Sequence, residues 1–140
     1  MRAKYARRHN AFGWWMLFVF STLGLLLELL HGFKVHAYLA VSHETRRLMW
    51  TLAHAHGVLI ALVNLMFAVS LETGGVPPRH VSTISVALLA ASILIPGGFL
   101  LAGFAFYEGD PGVGVVFVPV GAVMLLAALY SIARHAGSPD

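Results

Sequence analysis

Residues 82–107 read STISVALLAASILIPGGFLLAGFAFY, a run without a single charged side chain. A helix rising 1.5 Å per residue needs about 20 residues to cross the roughly 30 Å hydrocarbon core of a bilayer, so this run can span one. Three similar runs occupy residues 12–33, 48–71 and 113–133. The chain as a whole agrees. Hydrophobic residues make up 59% of it and charged residues 11%, and the mean hydropathy is +0.80. A soluble domain carries about 25% charge. With so little polar surface to offer water, the chain must use lipid as its main solvent. The predicted fold class is therefore all-α: an integral membrane bundle of four transmembrane helices in one domain, residues 1–140.

The breaks between the runs carry turn chemistry. Thr73-Gly74-Gly75-Val76-Pro77-Pro78 closes the second, and Glu108-Gly109-Asp110-Pro111-Gly112 separates the third from the fourth. Asp110 before Pro111 has the pattern of an N-cap followed by a first-turn proline. Gly32 marks the C-terminal end of the first helix, and a longer polar connection, 34–47, follows it. Ile95-Pro96-Gly97-Gly98 predicts a kink or a local unwinding of the third helix, most simply a packing kink. Pro119 either repeats that effect or marks where the regular part of the fourth helix begins. The apolar stretch after the basic N-terminus is too long for a signal h-region and reads as retained.

Counting Lys and Arg sets the orientation. The N-terminus (Arg2, Lys4, Arg7, Arg8), Arg79 and Arg134 place six on one side; Lys34, Arg46 and Arg47 place three on the other. The positive-inside rule puts both termini in the cytoplasm, N-in/C-in, in a cell inner membrane. Trp14, Trp15 and Tyr130 suit an inner aromatic belt; Tyr38, Trp50 and Tyr107 suit an outer one. The net charge of +3 is explained by this orientation, and no nucleic-acid partner is expected.

Polar groups inside lipid are costly, so each needs a reason. Glu28 and His31 lie at i, i+3 near the outer end of the first helix, and His54 and His56 lie in the outer third of the second. His36, His43 and Glu44 come from the connection, and Glu108 and Asp110 from the other outer loop. A polar cluster of Glu28, His31, His36, His54 and His56 is predicted there, with Glu28 and His56 paired across the two helices. Asn64 lies deeper, and nothing comparable is expected in the inner half. The simplest role for the cluster is a structural hydrogen-bonded pair that fixes register. Haem or a divalent metal, or traffic of protons or a small ligand, is also compatible with it, although the sequence requires no cofactor. Glu28-Leu29-Leu30-His31 is one copy of the Glu-x-x-His spacing, where carboxylate-bridged metal bundles use two. His54 and His56 are roughly 200° apart on a helix and cannot share one metal. Ala53, Gly57 and Ala61 form a small-residue stripe for close helix packing. No catalytic constellation is present, and with no cysteine there is no thiol chemistry.

Three segments resemble, in order, those of the YgdD-like small membrane proteins, the family called domain of unknown function 423. Gly32-Phe33-Lys34-Val35-His36-Ala37 resembles its GAFGAHA-type segment. Ala53-His54-Ala55-His56-Gly57-Val58-Leu59-Ile60-Ala61-Leu62 resembles its H-A-L-A-L-L-type helix. Gly109-Asp110-Pro111 with Val118-Pro119-Val120-Gly121-Ala122 resembles its GDP turn and P-x-G-G segment. Lys34-Val35 and Gly121-Ala122 depart from the family pattern, as does the N-terminal extension. The resemblance implies four helices and singles out His36 and His56; it implies no activity. The functional expectation is a small non-enzymatic membrane protein, an accessory or structural subunit of a larger complex or a homo-oligomer. The alternative is a haem-, metal- or proton-handling protein that uses the outer His/Glu cluster.

The orientation can be tested directly. Cysteines placed at Ser42 and Ser138 should react oppositely with an impermeant thiol reagent on intact cells, Ser42→Cys labelling and Ser138→Cys staying protected. Labelling of Ser138→Cys from outside would reverse the assignment.

Overall fold

The computed structural model describes residues 2–107 and 109–135, with only the backbone described at Pro78. Glu108 and Ser138, both used above, lie outside the described residues. Among the described residues, four helices are long and apolar enough to cross a membrane. The first, α1, is Arg2–Gly32; a short helix α2, His36–Leu39, and a 3-10 turn, Val41–His43, lead into α3, Glu44–Glu72. Then come α4, Pro78–Phe104, a second 3-10 turn, Val113–Val116, and α5, Phe117–His135.

Each end has a local cause. At the end of α1 the Val35 N–H bonds back to the Leu30 carbonyl at 3.0 Å, and Lys34 takes the left-handed conformation at φ 52°. The helix stops at Gly32 as expected, but it is Lys34 that makes the reversal. At the end of α3 the same closure uses Gly74, at φ +85°, with the Gly75 N–H on the Ser70 carbonyl. Asp110 is not a helix cap. Its backbone exchanges two hydrogen bonds with Tyr107, of 3.0 and 2.7 Å, around Gly109 at φ +98°, and Gly112 precedes the 3-10 turn instead. Pro96 does not unwind α4, which stays helical through Phe104. Pro119 falls in the first turn of α5, where its missing N–H would have had no helical partner.

The connection between α1 and α3 is folded onto the helix ends. Arg47 donates from Nη1 to the carbonyls of Tyr38 (3.1 Å) and Ala40 (2.9 Å). Arg46 donates from Nε to the Gly103 carbonyl, and its guanidinium lies over Trp50 and Phe106, 5.6 and 4.9 Å from the ring centroids. Two of the three basic residues in this connection therefore tie α3 to its neighbours.

The spanning helices pack as α1 on α3, α3 on α4 and α4 on α5, with a lighter contact between α1 and α4. Among the described residues α1 and α5 do not meet, so the bundle is open on that side. The main core gathers Ala6, Phe67, Leu71, Val81, Ile84 and Leu88 with Ala128 of α5, at the end where α1 begins. A second cluster of Ile60, Ala91 and Ile95 lies further along α4.

Close approach is made possible by glycine. A Cβ on Gly57 of α3 would sit 2.2 Å from the Phe20 ring of α1, so the ring lies directly on the α3 backbone. Gly57 belongs to the stripe Ala53–Gly57–Ala61, and all three are buried. Gly97 faces open space. Gly57→Ala should therefore destabilise the bundle by about 1–3 kcal/mol through overpacking, whereas Gly97→Ala should be neutral or slightly stabilising. Unfolding in mixed micelles with increasing SDS would separate the two, and equal stability of both variants would count against the packing described.

Candidate functional site

The most deeply buried polar groups belong to α1, α3 and α4. His9 and Asn64 are fully buried, as is Ser85, and Ser92 is 2% exposed. His9 Nδ1 lies 2.7 Å from Asn64 Oδ1 and its Nε2 lies 2.8 Å from Ser85 Oγ. Asn64 Nδ2 donates to the Ile60 carbonyl (2.8 Å) and to Ser92 Oγ (2.9 Å), and Ser92 Oγ donates to the Leu88 carbonyl at 2.6 Å. An amide oxygen only accepts, so His9 Nδ1 carries the proton given to Asn64, and in the neutral imidazole Nε2 accepts from the Ser85 hydroxyl. The result is one directed chain, Ser85 to His9 to Asn64 to Ser92 to Leu88. The edge of the Phe67 ring closes over His9 at 4.8 Å between centroids.

Nothing comparable to the His/Glu cluster is expected in the half of the bundle near the N-terminus; that half holds a different buried network, of one imidazole, one amide and two hydroxyls, around Asn64. Reasoning from sequence missed His9 because Arg7-Arg8-His9-Asn10 reads as a solvated basic arm. The signal was there in the spacing: α1 is helical from Arg2, and its buried positions Ala6, His9, Gly13 and Met16 recur at three- and four-residue steps. Ser85 and Ser92, seven apart, mark one face of α4 in the same way.

The outer cluster is brought together only in part. Glu28, His31 and His54 line one groove of about 640 Å³ between α1 and α3, with Tyr38 and Thr51. His54 is set by Gly24: a Cβ there would fall 2.2 Å from His54 Cε1, so the imidazole lies against the α1 backbone. From that position its Nδ1 donates to the Phe20 carbonyl at 2.6 Å, leaving Nε2 as the ring's acceptor. His56 is turned away. Its Nδ1 donates to the Leu52 carbonyl at 2.8 Å, and its ring packs on Phe99 of α4 at 5.0 Å between centroids. The predicted Glu28–His56 pair does not form, because one residue faces the α1/α3 groove and the other faces α4. His36 is exposed on α2 and does not line the groove. No hydrogen bond joins Glu28 to a histidine among the described residues; the His54 Nδ1 proton goes to a backbone carbonyl instead. Nor, among the described residues, do three of His, Asp and Glu converge closely enough to hold a metal ion.

A third polar site lies where α4 begins and α5 ends. Arg79 Nε donates to His80 Nε2 at 2.9 Å, and the His80 and His135 rings face each other at 4.8 Å. The sequence pattern does not single out this site, because Arg79 and Arg134 carry the signature of orientation charges. Comparison with family models, curated proteins and solved structures finds no match to this chain.

The buried network makes a quantitative prediction. His9→Leu or Asn64→Leu alone should cost about 1–3 kcal/mol, because each leaves buried partners unsatisfied. The double variant should cost less than the sum, with a coupling of about 0.6–1.7 kcal/mol. A double-mutant cycle of SDS unfolding measures this directly, and strictly additive costs would show that the two residues do not interact.

Proposed function

We propose that this protein is a non-enzymatic helix-packing subunit that works by associating with other membrane subunits or with further copies of itself. The observation that carries this reading is the open row of helices. Among the described residues α5 packs on α4 alone among the long helices, and it turns Val120, Val123 and Tyr130 outward as one stripe that continues Val116 of the preceding 3-10 turn. The far side of α1 is likewise uncovered, with Trp14, Trp15 and Phe18 exposed. Inside the bundle, meanwhile, the buried polar groups of α1, α3 and α4 satisfy one another. Such an interior holds its helices in register and leaves its outer faces for neighbours.

The location that fits is a cell inner membrane with both termini in the cytoplasm. The six-to-three balance of basic residues supports it, and it is strengthened by the structural use of Arg46 and Arg47 on the poorer side. The resemblance of the segments around His36 and His56 to YgdD-like proteins points to the same kind of molecule.

A second reading, traffic of protons or a small polar ligand, is favoured by the groove that Glu28 and His31 share with His54. In that case Glu28→Gln and His54→Gln should each alter a pH-dependent property of the assembled complex without preventing assembly. A complex indifferent to both would remove this reading.

Association itself is tested by mass. Extracted in a mild detergent and crosslinked, the 15.1 kDa chain should run as a multimer or with a defined partner. Val123→Trp on the α5 stripe should weaken that association while leaving the monomer folded. A monodisperse monomer in several detergents and in nanodiscs, with nothing crosslinked to it, would overturn the proposal.

A further inference from the structure

We propose that the crevice between the start of α4 and the end of α5 binds an anionic phospholipid, its phosphate held among Arg79, His80, Arg134 and His135 and an acyl chain lying between Ala87 and Ala127. The inference rests on the membrane-spanning fold and does not depend on what the protein associates with.

The head of the site is a cavity of about 480 Å³ whose lining has two guanidinium groups, two imidazoles and the hydroxyls of Tyr130 and Ser131, with no carboxylate among the described residues. Arg79 directs its Nε proton at a neutral ring nitrogen, not at an acid, so its charge is left uncompensated by its nearest partner. His135 is held by its Nδ1–H on the Ser131 carbonyl at 2.7 Å, with its ring tilted by 37° to that of His80. The placement is electrostatically unfavourable for the protein alone. The first turn of α4 carries no acidic residue and has Arg79 and His80 at the positive end of the helix dipole. An anion between the two arginines relieves that excess, and basic pockets between membrane helices are the usual receptors for phosphate headgroups.

What separates a lipid from a free anion is the second half of the site. A smaller cavity of about 110 Å³ shares His80 and Ser131 with the first and continues along the α4/α5 seam. There the lining becomes Thr83, Ile84, Ala87, Ala127 and Ala128, short or apolar side chains that leave a trough at acyl-chain depth. A charged head opening directly into an apolar trough has the polarity profile of a phospholipid. Tyr130, 68% exposed beside the head, sits where an amphipathic ring favours the headgroup layer.

The test uses the full chain in a neutral mild detergent, offered dioleoylphosphatidylglycerol, dioleoylphosphatidylcholine or the chain-free headgroup glycerophosphoglycerol. Retained molecules are counted by native mass spectrometry. Phosphatidylglycerol should be retained over phosphatidylcholine, and Arg79→Gln/Arg134→Gln should reduce that preference by roughly tenfold or more. Lys4→Gln/Arg7→Gln, which removes the same charge elsewhere, should leave it unchanged. Ala127→Leu should fill the trough and weaken retention while the basic head stays intact. Circular dichroism melting would verify that each variant is folded; should the double Gln variant fail to fold, the Ala127→Leu result decides. Retention unaffected by Ala127→Leu overturns the lipid site, as does equal loss in the Lys4/Arg7 variant. Binding of glycerophosphoglycerol as tight as that of the whole lipid would show a free-anion site and overturn it too.

Discussion

A carboxamide buried among apolar helices has two protons and an oxygen to satisfy, and no water to satisfy them with. Asn64 solves this by drawing on three helices: its own through Ile60, α1 through His9, and α4 through Ser92. His9 then reaches Ser85, a second point on α4 two turns away. Because both ends of the chain land on α4 seven residues apart, sliding α4 by one turn would break both contacts together. Interhelical hydrogen bonds in membranes contribute about 1 kcal/mol each, while an orphaned buried group costs about 1–3 kcal/mol. The asymmetry means that the network mainly penalises wrong arrangements.

Further along α1 the same problem of fit is solved by shape. Phe20 of α1 lies on Gly57 of α3, and His54 of α3 lies on Gly24 of α1. The exchange is reciprocal, a ring from each helix resting on a glycine of the other, and it is closed by the bond from His54 to the Phe20 carbonyl. The attachment of α5 is different in kind. Gly98 and Gly121 let α4 and α5 approach, with a Cβ at Gly121 falling 2.7 Å from Ile95, but no side-chain hydrogen bond crosses that seam among the described residues. One part of the bundle is keyed by directional bonds and the other by apolar contact, and among the described residues the second rests on a single long neighbour, α4.

Much of the fold was legible from hydropathy alone, because four runs of spanning length leave a chain in lipid few alternatives. The small-residue stripe at Ala53, Gly57 and Ala61 was legible for the same reason as its packing: spacing by four puts all three on one face. Depth could also be read, and it is depth that places Glu28, His31 and His54 along one groove. Azimuth could not. Whether His54 or His56 turns toward α1 depends on which small residue, Gly24 or another, leaves room for a ring, and that information is split between two distant segments. His9 was hidden by its neighbours, since two arginines and an asparagine around it carry the signature of water and outweigh one residue in a buried register.

The separation of His9 from its partners also has a consequence for how the chain is made. Asn64 emerges 55 residues after His9 and Ser85 emerges 76 residues after it. At about 5–20 residues per second of synthesis, α1 waits roughly 4–15 seconds for its last hydrogen-bond partner. Its imidazole can wait cheaply, because it lies among Arg7, Arg8 and Asn10 at the polar border of the membrane and can remain hydrated. The hydroxyl of Ser85 and the amide of Asn64 have no water once their helices enter the membrane and only the carbonyls of their own helices to turn to, as Asn64 does to Ile60. Final seating of α1 is therefore a late event in biogenesis, gated by the arrival of α4, and the first helix inserted is among the last to lock.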